Sequence, residues 1–392
     1  MTRNPRYPSR QSRRLTSNRR RFLQLSGAAL SGMALANCGR TLSDSAPSDS
    51  SSDGEESEET ASAQGNGADA DTLYIYTWAN YVDEGLLALF TERTGYKAVS
   101  DIYDSNETML ARLQAGGGDT YSIIYPSDYM VQEMIGLDLL SELDPSQLEG
   151  MDQIREKWQD PVYDGQNKHS VPVSWGTTGL LINKAELGST PEDWDYLWEN
   201  MDQISGRLTL LDDMRETLGA VLRSLGYSYN STDEAELEEA YQRLLELKPA
   251  IADFQSFGYE DQILSGDLLV VMAYSVDAIA ATLEDENLEY IVPESGSSVW
   301  TDTIVIPKSA PNTEAAYAWM NFMLDPEVAA KAVDTLYFAT PNKEAYDLLS
   351  DELKENKDLF PPEEVLSRCE GIAPVDEATQ LYEEYWTEIT SA

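Results

Sequence analysis

Apolar and polar positions alternate at the start of the folded part of the chain. Within residues 73–81, aliphatic and β-branched side chains alternate with aromatic ones, which predicts a buried strand. A helix is then predicted to begin at Asp83 and to end near Gly95. Trp78 and Tyr81 therefore fall between a strand and a helix, where open α/β sheets bind ligands. The simpler alternative is that both rings only cover the core.

Strand and helix patterns continue to alternate along the rest of the chain. Short apolar runs predict strands, and longer amphipathic or charged runs predict helices. The predicted strands cover residues 97–103, 121–125, 180–182, 208–211, 268–274, 290–292 and 299–307, with an extended crossing segment at 171–176, and the predicted helices cover residues 107–114, 212–225, 233–247, 314–324 and 326–335. This order is typical of the α/β class, and 392 residues suffice for two domains.

Residues 1–37 have the pattern of an export signal. Eight arginines and no acidic residue precede an apolar run that is too short to span a bilayer stably. Residues 18–24 resemble a twin-arginine signal, and residues 35–38 resemble a lipobox that ends in Cys38. The lipobox departs from the usual pattern at Asn37, where a smaller residue is commoner. We expect cleavage to leave Cys38 as a lipid anchor.

Residues 38–71 differ in composition from the rest of the chain. They are rich in Ser, Asp, Glu, Gly and Ala and contain almost no large apolar residue. Such a segment cannot bury enough apolar surface to fold. We interpret it as a disordered acidic tether that lifts the folded part off a membrane.

The charge balance and the scarcity of cysteine and histidine exclude several classes of function. The chain has 27 Lys and Arg residues against 70 Asp and Glu residues, so nucleic acid is not expected as a partner. The acidity is compatible with a cationic ligand, a high-salt environment or simple solubility. Cys38 and Cys369 are the only cysteines, and His169 is the only histidine. We therefore expect no metal centre, no cofactor and, unless His169 acts alone, no Ser-His or Cys-His nucleophile.

Aromatic, hydroxyl and carboxylate side chains recur near the ends of the predicted strands. They fall into five groups, which are Trp78 with Tyr81, Ser127 with Tyr129, Asp213 with Glu216, Tyr274 with Asp277, and Trp300 with Asp302. Aromatic faces attract ammonium groups by about 0.5–2 kcal/mol each, and carboxylates accept charge-assisted hydrogen bonds. Since no basic residue belongs to these groups, they predict a site for an apolar chain that carries several positive charges. A polyamine is such a molecule, because its amines should titrate near lysine's pKa of about 10.4.

Two other functions stay open at this point. Tyrosines and carboxylates also suit another cation or ferric iron, although tryptophans do not ligate metals. Asp213 and Glu216 are three residues apart and so share one face of a helical turn, where paired acids are compatible with an envelope hydrolase. Helix capping by Asp212, with Glu216 in the first turn, is the structural explanation of the same segment.

Ten short segments carry a more specific signal. They are TLYIYTWANYV at 72–82, YDSNETMLARL at 103–113, YPSDYMV at 125–131, VSWGTTGLLIN at 173–183, LLDDMRETL at 210–218, LGYSYNSTD at 225–233, VWTDTIVIPKSA at 299–310, NFMLDPEVA at 321–329, TPN at 340–342 and YEEYW at 382–386. These segments resemble the extracytoplasmic spermidine/putrescine-binding proteins of polyamine ABC transporters. The resemblance extends over nearly all of residues 72–392.

The resemblance implies a two-lobed periplasmic-binding-protein fold, in which each lobe is a sheet flanked by helices and the ligand lies between the lobes. Lobe one would comprise residues 72–174 and 301–345, and lobe two residues 176–299 and 346–392. The implied ligand-binding residues are Trp78, Tyr81, Ser127, Tyr129, Asp213, Glu216, Tyr274, Asp277, Trp300 and Asp302.

The same resemblance implies a function and a location. The protein would be a lipid-anchored binding protein and not an enzyme. It would capture a polyamine in the periplasm or at the outer face of the cytoplasmic membrane. As a monomer, it would then deliver the ligand to the permease subunits of an ABC importer.

Three positions depart from the family pattern. Tyr274 stands where members commonly have tryptophan, and Asn80 stands where spermidine and putrescine binders often carry an acid. Asp277 matches an aspartate typical of putrescine binders, whereas the spermidine type is matched by Asp213, Tyr129 and Trp300. We therefore expect a mixed site that binds both ligands and favours spermidine.

Overall fold

A computed structural model of the protein describes residues 71–391. The predicted signal peptide, the anchor at Cys38 and all but the last residue of the predicted tether lie outside the described residues. Within residues 71–391, no helix is long and apolar enough to cross a membrane.

Nine strands of the described part of the chain are joined by hydrogen bonds into one path. They are β1 (Thr72–Thr77), β2 (Lys97–Ile102), β3 (Ile123–Ile124), β4 (Ser170–Asn183), β5 (Leu208–Leu210), β6 (Ile251–Phe254), β7 (Val270–Tyr274), β8 (Leu288–Ile291) and β9 (Val299–Val305). Their order is β2-β1-β3-β9-β4-β7-β5-β6, and β8 also pairs with β4. β1 is parallel to β2 and β3, and β5 is parallel to β6 and β7. Both ends of the path therefore consist of parallel strands, which need helices on their faces.

Sixteen α-helices of residues 71–391 cover these strands. They are α1 (Glu84–Thr94), α2 (Asn106–Gln114), α3 (Asp128–Gly136), α4 (Lys184–Leu187), α5 (Tyr196–Glu199), α6 (Met201–Ile204), α7 (Met214–Ser224), α8 (Glu234–Leu247), α9 (Glu260–Leu264), α10 (Ser275–Glu284), α11 (Thr313–Leu324), α12 (Pro326–Leu336), α13 (Lys343–Leu348), α14 (Asp351–Glu355), α15 (Glu363–Leu366) and α16 (Thr379–Ser391). The predicted limits of α1 are confirmed. The Asp83 carboxylate accepts the Leu86 N–H at 2.6 Å, and the helix ends at Gly95 in the left-handed region, at φ 83°.

β4 runs from one half of the strand path into the other. Its residues 170–177 pair with β9, whereas residues 178–183 pair with β7 and β8, and all fourteen residues are buried. The predicted division into a crossing segment at 171–176 and a separate strand at 180–182 is therefore wrong. Pro172 is accommodated within the strand because the register with β9 shifts between Pro172 and Ser174.

β3 is shorter than the sequence predicted. Only Ile123–Ile124 of the apolar run at 121–125 forms a strand. The Tyr125 N–H nevertheless donates to the Tyr76 carbonyl at 3.0 Å, and the Ser122 N–H donates to the Tyr74 carbonyl at 2.8 Å. The flanking residues thus remain attached to β1 although they are not counted as strand.

Two large hydrophobic clusters pack on the two halves of the strand path. The first contains Phe90 and Trp319, and the second contains Trp194 and Leu218, all of them fully or almost fully buried. Each half is thus a sheet flanked by helices around its own core. The structure has the two-lobed α/β fold that the sequence predicted, with β4 and β9 between the lobes.

The last part of the chain packs in both clusters. Leu349 and Leu359 belong to the first cluster, whereas Tyr382 and Ile389 belong to the second. The lobe boundaries drawn from the sequence stay a prediction, and α13, α14 and α15 are the elements whose assignment they most affect.

Candidate functional site

All ten residues that the sequence predicted as ligand contacts line one cleft between the lobes. The cleft encloses about 570 Å³ of space, its mouth included, which is within the range typical of small-molecule sites. Aromatic rings and carboxylates dominate its lining, which consists of Trp78, Ala79, Tyr81, Asn106, Ser127, Asp128, Tyr129, Asp213, Glu216, Phe257, Tyr274, Val276, Asp277, Trp300, Asp302 and Ile372. The fold therefore brings side chains from separate strand ends together in one cleft. The role of these side chains in ligand binding stays a prediction.

The first lobe contributes side chains from loops that follow β1 and β3. Trp78 and Tyr81 lie between β1 and α1, and the half-buried Trp78 ring packs on Tyr103 with 4.5 Å between centroids. Ser127 is the residue before α3, and Tyr129 lies in its first turn. Because β1 and β3 are parallel neighbours, their following loops meet at one edge of the sheet.

The second lobe contributes side chains from the starts of two helices. Asp213 caps α7 and Glu216 lies in its first turn. Tyr274 ends β7, and Asp277 follows in the first turn of α10. β5 and β7 are parallel neighbours, so the helices that follow them also begin at one edge.

Asp302 lies on β9, and two hydroxyl groups of the first lobe donate to it. The Ser127 hydroxyl lies 2.8 Å from Oδ1, and the Tyr81 hydroxyl donates to Oδ2. The residue is 4 % exposed, and this burial raises the pKa of its carboxyl to about 6, although both hydroxyls favour the charged form. The hydroxyls therefore orient the carboxylate without neutralising its charge.

Glu216 is held in a similar way in the second lobe. Its Oε2 accepts hydrogen bonds from the Tyr229 hydroxyl at 2.7 Å and the Ser298 hydroxyl at 2.8 Å. Burial, and next the charge of Asp213, raise the pKa of Glu216 to about 7. Glu216, one of the two acids of the suspected hydrolase pair, thus already has hydrogen-bond donors.

Asp213, and not Asp212, is the cap of α7. Its Oδ1 accepts the backbone N–H groups of Arg215 at 2.9 Å and of Glu216 at 3.0 Å. Its Oδ2 accepts a longer hydrogen bond, of 3.5 Å, from the Tyr274 hydroxyl. One oxygen of this carboxylate therefore stabilises the helix, while the other is directed toward a residue of the cleft. Burial raises the pKa of Asp213.

Asp277 contacts residues of both lobes. The Tyr259 hydroxyl donates to its Oδ2 at 3.2 Å. Burial raises the pKa of Asp277 to about 7, and the charge of Glu260 adds to this rise. The Asn80 side chain, which comes from the first lobe, faces the same carboxylate and partly offsets the rise.

The sequence analysis missed several residues of the lining, of which Asn106 and Asp128 are polar. Asn106 begins α2, and its side chain donates to the Tyr129 hydroxyl at 3.0 Å and accepts the Ser127 N–H at 3.3 Å. It therefore orients two of the predicted residues. Its position beside the helix cap Ser105 gave no sign of this contact. Asp128 lies in the chain between the two predicted residues Ser127 and Tyr129, and this position is the sequence signal for it.

The protein supplies little positive charge to these acids. Among residues 71–391, Arg215 is the only Lys or Arg side chain that is fully buried, and it is not part of the cleft lining. Its guanidinium lies 5.8 Å from the Tyr129 ring centroid and 5.1 Å from that of Tyr382, and it donates to Asn230 at 3.0 Å. Within the described residues it forms no ion pair with a cleft carboxylate. The cleft therefore has an excess of negative charge and attracts cations.

A resident metal ion has no evident place in the described structure. Within residues 71–391, no group of three or more His, Cys, Asp or Glu side chains is arranged to hold a metal. The cleft can therefore bind a cation by hydrogen bonds and ring contacts, but it lacks a preformed coordination sphere.

The chain is similar to proteins of known family. Residues 85–361 match the family described as bacterial extracellular solute-binding protein. The chain is 35 % identical over 323 residues to the spermidine/putrescine-binding periplasmic protein of Salmonella typhimurium, with 82 % of this chain and 92 % of the relative covered. It is 30 % identical over 343 residues to the putrescine-binding periplasmic protein PotF of Escherichia coli, with 83 % and 92 % covered.

Solved structures of similar chains share the fold. A putative spermidine/putrescine ABC transporter from Listeria monocytogenes has 34 % identity and a TM-score of 0.77, with 81 % of this chain and 98 % of that chain covered. A lipoprotein of Treponema pallidum has 30 % identity and a TM-score of 0.73, with 82 % and 100 % covered. These similarities extend over both lobes.

The raised pKa values predict how stability depends on pH. The folded protein retains protons on Asp277 and Glu216 up to a pKa of about 7, whereas the unfolded chain loses them near a pKa of about 4. Stability from these groups is therefore present at low pH and is lost as the pH rises through this window. We expect the ligand-free protein to lose free energy of unfolding between pH ~5.5 and ~7.5, and Asp277→Asn to lessen that loss by about 1–2 kcal/mol.

Urea unfolding of both proteins at several pH values measures this difference. The matched control is Asp152→Asn, which removes an exposed carboxylate of the first lobe and should keep the wild-type pH dependence. An identical pH dependence in Asp277→Asn would show that Asp277 is ionised in the folded protein throughout this range.

Proposed function

The chain belongs to the bacterial extracellular solute-binding proteins, and we propose that the solute it binds is a polyamine. The observation that carries this proposal is the charge of the cleft. Five carboxylates, none more than 8 % exposed, line it together with aromatic rings and without a basic side chain. Relatives named for spermidine and putrescine support the same class of solute.

The energetics of buried carboxylates favour a ligand with several ammonium groups. An ionised carboxylate loses its hydration on burial and needs a hydrogen-bonding or ionic partner to compensate. An ammonium group supplies both a positive charge and N–H donors. The rings of Trp78, Tyr274 and Trp300 offer surfaces for the methylene segments and cation–π contacts for the ammonium groups.

The carboxylate of Asp277 supports the expectation that the site binds either of two polyamines, putrescine or spermidine. Asp277 supplies a carboxylate that can anchor one end of a short diamine such as putrescine. Asp213, Glu216 and Asp302 supply further carboxylates, which a triamine such as spermidine can use more fully. We infer that both ligands bind and that spermidine is favoured, because its third ammonium group adds a charge-assisted contact.

The proposed role in the cell follows from the two lobes and from the N-terminal sequence. Closure of the lobes on the ligand buries it, and the closed form is what permease subunits of an ABC importer would recognise. Cys38 would anchor the protein by lipid in the periplasm or at the outer face of the cytoplasmic membrane. Relatives described as periplasmic, and one described as a lipoprotein, support this location. We expect the protein to act as a monomer.

Another cationic solute is the second candidate, since the same carboxylates would attract it. Ferric iron fits less well, because the described residues offer the tryptophan rings of Trp78 and Trp300 where a metal would need ligands. A hydrolase is disfavoured by the family, whose members are solute-binding proteins.

We expect spermidine and putrescine to raise the melting temperature of the protein. A ligand that binds only the folded state stabilises it by mass action, by about 2.7 kcal/mol at a hundredfold excess over Kd. Thermal melts with and without each polyamine measure the shift, and ferric citrate and free lysine serve as comparison ligands. The proposal fails if no polyamine shifts the melting temperature at concentrations of about 1 mM.

Asp302→Asn should weaken polyamine binding by roughly 2–5 kcal/mol, because a buried ammonium group loses its anionic partner. Isothermal titration calorimetry gives the change in Kd. Asp152→Asn, which removes an exposed charge of the same lobe, should bind like the wild type. Affinity of Asp302→Asn within about threefold of the wild type would show that Asp302 does not contact the ligand.

Asp277→Ser should reduce the affinity for putrescine more than that for spermidine. The diamine loses one of its two end anchors, whereas the triamine keeps contacts with the other carboxylates. Titration of both ligands into wild type and variant measures the two ratios. Equal losses, or a larger loss for spermidine, would mean that Asp277 does not determine the choice between them.

A further inference from the structure

Asp128 is a fifth carboxylate of the cleft, and it is not one of the ten ligand contacts that the sequence predicted. It is the first residue of α3 and lies between Ser127 and Tyr129 in the chain. It lines the cleft and is only 8 % exposed. A buried acid at this position needs a physical reason, because ionised carboxylates lose hydration on burial.

Hydrogen bonding distinguishes Asp128 from the other four acids of the cleft. Each of the others accepts from a side-chain hydroxyl: Asp213 from Tyr274, Glu216 from Tyr229, Asp277 from Tyr259 and Asp302 from Ser127. Asp128 accepts only from backbone N–H groups of the described residues, including that of Tyr129 at 2.9 Å from Oδ1. It therefore has lone pairs to which no side chain within residues 71–391 donates a hydrogen bond, beside a space that a ligand can enter. Its charge acts on the buried Tyr163 hydroxyl, but the two form no hydrogen bond.

The start of a helix does not by itself explain this arrangement. An acidic residue in the first turn gains about 0.3–1 kcal/mol from the helix dipole and can do so while exposed to water. For Asp128, burial raises the pKa well above its usual range, and the charges of Asp302 and Glu216 raise it further. The start of α3 and its backbone N–H groups thus do not fully compensate for burial, since the pKa stays raised. An approaching cation would compensate it.

Asp128 also occupies a different part of the cleft from Asp277. Its neighbour Ser127 donates to Asp302 and forms a backbone bridge with it. Asp277 instead contacts Tyr259 and faces the Asn80 side chain. A diamine can be held by one acid in each of these two regions. The part around Asp302 then contains one acid, Asp128, to which no side chain of the described residues donates a hydrogen bond.

We propose that Asp128 binds the third ammonium group, which a triamine has and a diamine lacks. Asp128 would thereby make the cleft prefer spermidine-like ligands over putrescine-like ligands. This inference rests on the proposed polyamine function and adds a specificity-determining residue to it. The chemistry is a charge-assisted hydrogen bond from an N–H donor to a carboxylate that has unused lone pairs.

Calorimetric titration of the full chain with spermidine and putrescine tests the inference. In Asp128→Asn, which keeps the side-chain volume and removes the charge, we expect the Kd for spermidine to rise about tenfold or more. The Kd for putrescine should change less than about threefold. Asp128→Glu, which keeps the charge, should retain a preference for spermidine.

Glu133→Gln is the matched control. Glu133 lies on the same helix, carries the same charge and is exposed outside the cleft lining, so its loss should leave both affinities unchanged. Asp128→Ser replaces Asp128→Asn if thermal melts show that the latter does not fold.

The outcomes separate the two proposals. If the wild type binds neither polyamine, the proposed function is wrong. If the wild type binds both and the Asp128 variants lose no affinity, or lose equal affinity for both ligands, the function stands and the role of Asp128 is overturned.

Discussion

The structure is organised around negative charge that is buried between two lobes, in a cleft whose lining contains no basic side chain. Neutral hydroxyl groups hold the acids in place, as Tyr81 and Ser127 do for Asp302 and as Tyr229 does for Glu216. Such donors orient a carboxylate and lower its pKa, but burial has the larger effect, so the pKa stays raised. The folded protein therefore contains carboxylates whose burial is unfavourable. A ligand with matching positive charge would offset that unfavourable free energy of burial on binding. This difference between the empty and the filled cleft is what would select a cation in the proposed function.

The two crossing strands fix the geometry in which this charge is held. β4 and β9 are antiparallel neighbours, and Gly176 of β4 lies opposite Trp300 of β9. A Cβ atom at Gly176 would lie 2.2 Å from the Trp300 ring and 2.5 Å from the Ser275 hydroxyl, so only glycine allows this approach. The backbone of one strand thus supports a ring of the cleft directly. Because Asp302 lies two residues beyond Trp300, the same strand positions both a ring and an acid.

Much of the fold and of the site could be predicted because the signals are local. The caps of α1, the alternation of strands and helices, and the polar residues at strand ends all depend on a few neighbouring residues. The continuity of β4 could not be predicted, since the bulge at Pro172 depends on pairing with the distant β9. Asn106 was missed for the same reason. Its contacts with Ser127 and Tyr129 cross twenty-one and twenty-three positions of sequence.

Asn80 and Asp277, which the sequence presented as two separate departures, are one arrangement in space. Asn80 has φ 62°, in the left-handed region that asparagine tolerates, and its side chain faces the Asp277 carboxylate from the other lobe. An acid at position 80 would place a second negative charge against Asp277 and oppose the approach of the lobes. A neutral amide avoids that repulsion. It also lowers the pKa of Asp277, which favours the ionised carboxylate. The residue at position 80 therefore affects the charge that Asp277 presents at one end of the cleft.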